Sequence, residues 1–312
     1  MCQVSYSKQT EYGSKDKLKN FDGSPKWAFI EITSKCSHKC KWCYGGFNED
    51  TSGEISIEDY KMLLLKLKKI GITQITLSGG EPTEHRYFDE ILKLSSDGFV
   101  LNLVTHGDWK DSNLAVKLKE SNVNQVQFNY QGKKHHDSIH GVAGSYDNQR
   151  RSIQLTKDVG IHVVGSLTVG KYNLDSTADV FNELVDLGAD RLRVWETVGF
   201  GNKFRKDLEA KEIFDETTKR ANNIGYNFIQ SYDPLVKGDV GVSCLALSGL
   251  YMYINNKCEH IFCGAVVSQL KKPLSNMLTD SADTILENQR AFNIKHKRDK
   301  PYCMARDDIE VK

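Results

Sequence analysis

The sequence predicts an α/β fold: a parallel sheet, curled into a barrel or partial barrel, with helices packed outside it. Two observations carry this. Six segments rich in β-branched and aromatic residues alternate with segments whose apolar residues recur at helical spacing. Several helical segments stop at or near a glycine, at Gly71, Gly98, Gly160 and Gly188. Strand–helix–strand repeats of this kind pair in parallel through right-handed crossovers.

Residues 27–33 read as the first strand. Residues 56–70 read as a helix, with Ile57, Tyr60, Leu63, Leu64, Leu67 and Ile70 on one face. Residues 72–78 read as a buried second strand. Further strands are expected over 99–105, 125–130, 161–169 and 191–197, with helices over roughly 84–96, 111–121, 146–159 and 175–187. Past about residue 208 the pattern changes. Residues 209–224 read as one more helix and 226–230 as a strand, and from Gly238 a cysteine-bearing segment follows with no repeat. The chain therefore divides into an N-terminal extension (1–25), a barrel (26–235) and a small C-terminal appendage (236–312).

The 312 residues carry a formal net charge of +1, which gives no electrostatic case for a nucleic-acid or membrane partner. No apolar run approaches the ~20 residues that span a bilayer, and the N-terminus lacks a basic-then-apolar signal pattern. The chain reads as cytoplasmic. Eight cysteines are many for such a protein, and in a reducing compartment metal binding or catalysis is the better reading than disulfides. Cys36, Cys40 and Cys43 lie early; Cys244, Cys258, Cys263 and Cys303 lie in the last quarter; Cys2 stands alone.

The early group follows the first strand, where a barrel places its chemistry. Three thiolates on one short loop can hold three irons of a four-iron cluster and leave the fourth open to a small molecule. Electron-transfer clusters and structural zinc ordinarily take four protein ligands. After the second strand comes Leu77-Ser78-Gly79-Gly80-Glu81-Pro82, whose glycines allow a ligand close to the backbone and whose proline stiffens the exit.

With both motifs in place, the chain resembles the radical S-adenosylmethionine (radical SAM) enzymes. Cys36-x-x-x-Cys40-x-Trp42-Cys43 is similar to their cluster motif, and Gly79-Gly80-Glu81-Pro82 to the segment that hydrogen-bonds the SAM amino group. The resemblance implies a partial (β/α)6 barrel, a [4Fe-4S] cluster on the three cysteines, and SAM chelated to its open iron. It also implies reductive cleavage of SAM to a 5′-deoxyadenosyl radical that abstracts a substrate hydrogen atom. Asn129, in a segment where relatives carry Ser and Asp, is an expected SAM contact, as is Thr105 in Thr105-His106-Gly107. Tyr44 and Ser166 join them as candidate cofactor contacts. In Asp137-Ser138-Ile139-His140-Gly141, His140 stands where relatives usually have an arginine. Glu196, at the end of the sixth strand, is the candidate catalytic base or substrate ligand, with pairing to Arg193 as the plainer reading.

Residues 250–263 read as a β-hairpin with an Asn-rich turn, and Cys244 and Cys263 fall at its open end. This resembles the hairpin of SPASM or twitch appendages and implies a twitch-like β-hairpin/helix appendage with an auxiliary iron–sulfur cluster on Cys244, Cys263 and Cys303. Cys258 stands where the turn glycine is expected, and lies roughly 16 Å along the strand from Cys263. Where a fourth cysteine is usual this chain has Arg306, which leaves an open iron, Arg306 or Asp307, or Cys258 as the remaining ligand. The plainer reading is buried apolar thiols.

The expected function is radical SAM modification of a ribosomally made peptide, with a flavodoxin- or ferredoxin-type reductant. The alternatives are a small-molecule dehydrogenase or cyclase, and a non-catalytic iron–sulfur, SAM-binding protein. A molybdenum-cofactor-type cyclase is disfavoured by the lack of an auxiliary Cys-x-x-Cys spacing and of a Gly-Gly C-terminus.

Overall fold

The structure is a computed structural model that describes residues 24–43, 45–47, 53–170, 172–196, 219, 223, 228–230, 246, 249–264 and 272–296. Its barrel repeat runs β1 (Trp27–Thr33), α1 (Ile57–Ile70), β2 (Gln74–Gly79), α2 (Phe88–Ser95), β3 (Val100–Thr105), α3 (Leu114–Glu120) and β4 (Val123–Asn129). It continues with α4 (His136–His140), α5 (Ser145–Asp158), β5 (His162–Val169), α6 (Thr177–Asp186), β6 (Arg191–Glu196) and β7 (Phe228–Gln230). The C-terminal part holds β8 (Tyr251–Ile254), β9 (Glu259–Ile261), β10 (Ser275–Asn276) and α7 (Ala282–Lys295).

The ten strands among the described residues form one sheet in the order β10-β9-β8-β1-β2-β3-β4-β5-β6-β7. From β1 to β7 every pairing is parallel. The sheet does not close on itself, so the partial barrel expected from the alternation is the fold.

The helices form where the periodicity placed them. In α1 the six residues expected on one face are the six that are buried. Ser56 caps the first turn by accepting from the Asp59 N–H at 3.0 Å, and Glu58, Asp59, Lys68 and Lys69 complement the helix dipole at the two ends. Strand β1 shows why the sheet has two different faces. Ala28, Ile30 and Ile32 enter the core shared with the helices, while Glu31 and Phe29 on the opposite face meet Tyr253 of β8.

The C-terminal hairpin is less separate than the sequence suggested. Its strands β8 and β9 pair antiparallel as expected, but β8 also lies parallel to β1, with Trp27 opposite Tyr251 and Ile30 opposite Ile254. The sheet therefore runs across the boundary drawn at residue 235. Cys258 sits in the turn at φ 58°, the left-handed conformation the missing glycine would have taken, and is completely buried. Asn255 stabilises that turn: its Oδ1 accepts from the N–H groups of Lys257 and Glu259 at 3.0 and 2.9 Å. Apart from Lys219 and Asn223, which are helical, the helix expected over 209–224 lies outside the described residues. Among those described, no helix is long and apolar enough to cross a membrane.

Candidate active site

The cysteine loop leaves the carboxyl end of β1 and is strapped on both sides. On one side the Gly80 N–H donates to the Thr33 carbonyl and the Glu81 N–H to the Lys35 carbonyl, each at 2.8 Å. On the other, the N–H groups of Lys39 and Lys41 donate to the carbonyls of His140 and Ile139, at 2.9 and 3.0 Å. A short turn, Cys43 N–H to Cys40 O at 3.1 Å, sets the last two cysteines together.

This strapping gives the glycine pair a structural reason of its own. A Cβ on Gly79 would stand 2.2 Å from the Thr33 oxygen, and one on Gly80 would stand 2.3 Å from the Lys35 oxygen. Gly79 also has φ 134°, closed to residues with side chains. The room the glycines provide is taken by the backbone of the cysteine loop.

Glu81 holds the same junction from below and is fully buried. Its carboxylate accepts from the His106 N–H at 2.8 Å, the Thr105 hydroxyl at 2.8 Å, and the Thr83 hydroxyl and N–H at 2.7 and 3.2 Å. The Thr105 hydroxyl accepts in turn from Gly107 N–H and Trp109 Nε1–H. The side chains of Glu81 and Thr105, both expected as cofactor-binding residues, are thus bonded to each other and tie the segments that follow β2 and β3 together.

Cys36, Cys40 and Cys43 are partly accessible, and none is in a disulfide. Burial, and then the charge of Glu81, push the Cys36 thiol well up; burial and Cys43 push Cys40 up to about 12. Such thiols stay protonated until a metal displaces the proton. Three thiols on one loop, close enough to feel each other's charge and still reachable, fit the three-cysteine iron–sulfur cluster that the motif implies.

Behind the loop lies a group of buried histidines that sequence reasoning missed. His38 stacks on His106 with centroids 3.7 Å apart, and His136 stacks on His140 at 4.3 Å. His38 Nδ1 lies 3.0 Å from His140 Nδ1, which in turn lies 3.5 Å from Cys40 Sγ. The ligand atoms of His38, Cys40 and His140 fall within 4.8 Å of one another, close enough to hold a metal ion, although the two rings are already bonded to each other. Burial alone would lower the His106 imidazole, but the charges of Glu81 and Glu84 outweigh it and raise it. Burial holds His38 down at about 4. The one sequence signal was His140 standing in place of an arginine.

The other expected residues spread along the same end of the sheet. Asn129 ends β4, opposite Ser166 of β5, which pairs onward with Arg193 of β6. Asn129 is bonded to Gln131 at 2.6 Å, and Arg193 donates to Gln127 at 3.0 Å. Glu196 is the last residue of β6, and its side chain lies outside the described residues, as do Tyr44, Cys244 and Cys303. Cys263 follows β9 and is partly exposed, whereas Cys258 belongs to the apolar core. A second residue that sequence reasoning missed is Glu31, a buried carboxyl on the inner face of β1 that accepts from the Tyr253 hydroxyl. Its signal was a lone acid inside an apolar strand.

The radical SAM superfamily model matches residues 30–184, from β1 through α6. The chain belongs to the radical SAM superfamily. It is 28% identical over 183 residues to the PqqA peptide cyclase of Bradyrhizobium diazoefficiens, covering 57% of this chain and 48% of that protein. It is 27% identical over 175 residues to the sporulation killing factor maturation protein SkfB of Bacillus subtilis, covering 55% and 42%. The AdoMet-dependent heme synthase of Oleidesulfovibrio alaskensis is 27% identical over 213 residues, covering 66% and 54%. The chain thus spans about half the length of the curated relatives it matches. In fold it is similar to Streptococcus suis SuiB bound to its precursor peptide SuiA, with a TM-score of 0.74, 17% identity, and 93% of this chain and 71% of that chain covered.

Proposed function

We propose that this protein is a radical SAM enzyme that modifies a ribosomally made peptide. The observation that carries the enzymatic reading is the double strap of the cysteine loop: Gly79-Gly80-Glu81 on one side and α4 on the other hold three reachable thiols at the carboxyl end of β1. A cluster held there by Cys36, Cys40 and Cys43 would supply the electron for reductive cleavage of SAM, the chemistry by which a hydrogen atom would be taken from the substrate. The chain's own part is to orient and exclude. Cys36, Cys40 and Cys43 hold three irons, and the Gly79–Glu81 segment fixes the loop. Asn129, at the end of β4, and Ser166, opposite it on β5, are the candidate polar contacts for the cofactor, and Glu196, the last residue of β6, is the candidate acceptor of a substrate proton.

The peptide substrate class rests on the relatives that cyclise or mature peptides. A flavodoxin- or ferredoxin-type protein supplies the electron. The auxiliary cluster on Cys244, Cys263 and Cys303 is supported by the β8–β9 hairpin, with its left-handed turn at Cys258 and Cys263 at the open end. The first test is anaerobic reconstitution, reduction with dithionite and assay for 5′-deoxyadenosine. Formation of 5′-deoxyadenosine supports the enzyme. Its absence from protein holding a reducible cluster and binding SAM returns the non-catalytic reading. Mass spectrometry of a small peptide encoded beside the gene, after co-expression, then tests the substrate class. An unmodified peptide with clusters intact would refute it.

A further inference from the structure

We infer that His140 is a positioning residue for the cluster: its Nδ1–H donates to the sulfur of Cys40 and favours the reduced state. The inference rests on the proposed cluster.

The geometry fixes which atom carries the proton. His38 Nε2 faces the Asp108 carboxylate at 3.5 Å, and a carboxylate there can only accept, so the proton of a neutral His38 sits on Nε2. His38 Nδ1 is then a lone pair facing His140 Nδ1 at 3.0 Å, which makes His140 Nδ1 the donor. The same N–H has Cys40 Sγ as a second acceptor at 3.5 Å. Asp108 is itself held, by Asn148 Nδ2 at 2.6 Å. The other nitrogen of His140, Nε2, is buried and has no partner in hydrogen-bond geometry. A proton there would be an unpaired buried donor, whereas on Nδ1 it meets two acceptors.

The ring has little freedom to turn away. His136 stacks on it at 4.3 Å, and Trp42 and His38 meet it nearly perpendicular, at 5.8 and 5.2 Å. Its backbone carbonyl also anchors the loop by accepting from the Lys39 N–H. A donor aimed at a cluster sulfur binds the reduced, more negative cluster more strongly than the oxidised one, and so raises the potential.

The test compares three proteins in one background, with His140 kept, His140→Phe and His140→Asn. Phe keeps the stacked ring without a donor, and Asn restores an N–H near the Nδ1 position. The midpoint potential of the cluster on Cys36, Cys40 and Cys43 is read by EPR-monitored titration without SAM. To leave that signal alone, Cys263 is replaced by Ala throughout. Phe is expected to make reduction about tenfold harder, a drop of about 59 mV for a one-electron couple, and Asn to recover most of it. Equal potentials in all three overturn the inference. If the Phe variant takes up no iron, the protein that keeps His140, labelled with 15N-histidine, decides. A histidine-nitrogen hyperfine coupling on the reduced cluster supports the bond, and its absence overturns it. A protein that forms no reducible cluster overturns the proposed function and this inference with it. A normal cluster indifferent to His140 overturns this inference alone.

Discussion

Replacing Glu81 by Gln separates a frame from a ligand. If Glu81 serves the loop, the cost falls on the folded protein before any cofactor arrives. Its carboxylate takes four donors: His106 N–H on one oxygen, and Thr105 Oγ1, Thr83 Oγ1 and Thr83 N–H on the other. Gln carries one oxygen and one NH2 group. The better orientation keeps the oxygen on the three-donor side and points the NH2 at the His106 N–H. One charge-assisted bond is lost and a buried donor is left facing a donor. The surviving bonds weaken because their acceptor is now neutral. Together these come to about 3 kcal/mol. With a urea slope of about 3 kcal/mol/M, the midpoint should fall by about 1 M at unchanged slope. The assay is urea denaturation of the metal-free protein at pH 7 under reductant. An unchanged midpoint together with weakened SAM binding would refute the frame and make Glu81 a ligand contact.

Four further outcomes are expected. Gly80→Ala places a methyl group 2.3 Å from the Lys35 oxygen, so the cysteine loop must move while the core stays intact; a folded protein with reduced iron uptake and little 5′-deoxyadenosine is expected, and full uptake would contradict the strap. Burial raises the Glu31 carboxyl from 4.5 to about 7, against the pull of the Tyr253 hydroxyl. The folded value exceeds the unfolded one, so stability is greatest below about 4.5 and about 3 kcal/mol is lost as pH rises through 7. Glu31→Gln should not show this loss, and parallel urea curves for the two proteins at pH 5 and 8 check it. Cys258→Ala should cost about 1 kcal/mol in stability and leave iron content unchanged, since the thiol lies in the core; loss of iron would make it a ligand. In protein lacking Cys36, Cys40 and Cys43, retention of about four irons would place a second cluster on the C-terminal cysteines.

The repeat of strands and helices was legible because each element carries its own period. The buried face of α1 could be named residue by residue from Ile57 to Ile70. The two motifs were legible because each is contiguous. What they do to each other was not: nothing in Gly79-Gly80 says that the backbone of Thr33 and Lys35 will fill the space beside it. The histidine group was hidden for the same reason. His38, His106 and His140 come from three separate loops or helices, and α4 is five residues long, too short to show a period. The position of β8 beside β1 depends on pairing between residues more than two hundred apart, which no local pattern encodes.

That last pairing has a consequence for how the protein is made. Strand β1, which delivers the cysteine loop, has β2 on one side and β8 on the other. During synthesis from the N-terminus, β2 arrives soon after β1, but Tyr251–Ile254 arrives only after all of β2 to β7. Until then β1 is a bare sheet edge with unpaired backbone groups, open to pairing with another chain. The first strand of the barrel thus waits for nearly the last. A chain cut short before residue 251 would retain the three cysteines yet leave their strand exposed, and should be recovered as aggregate.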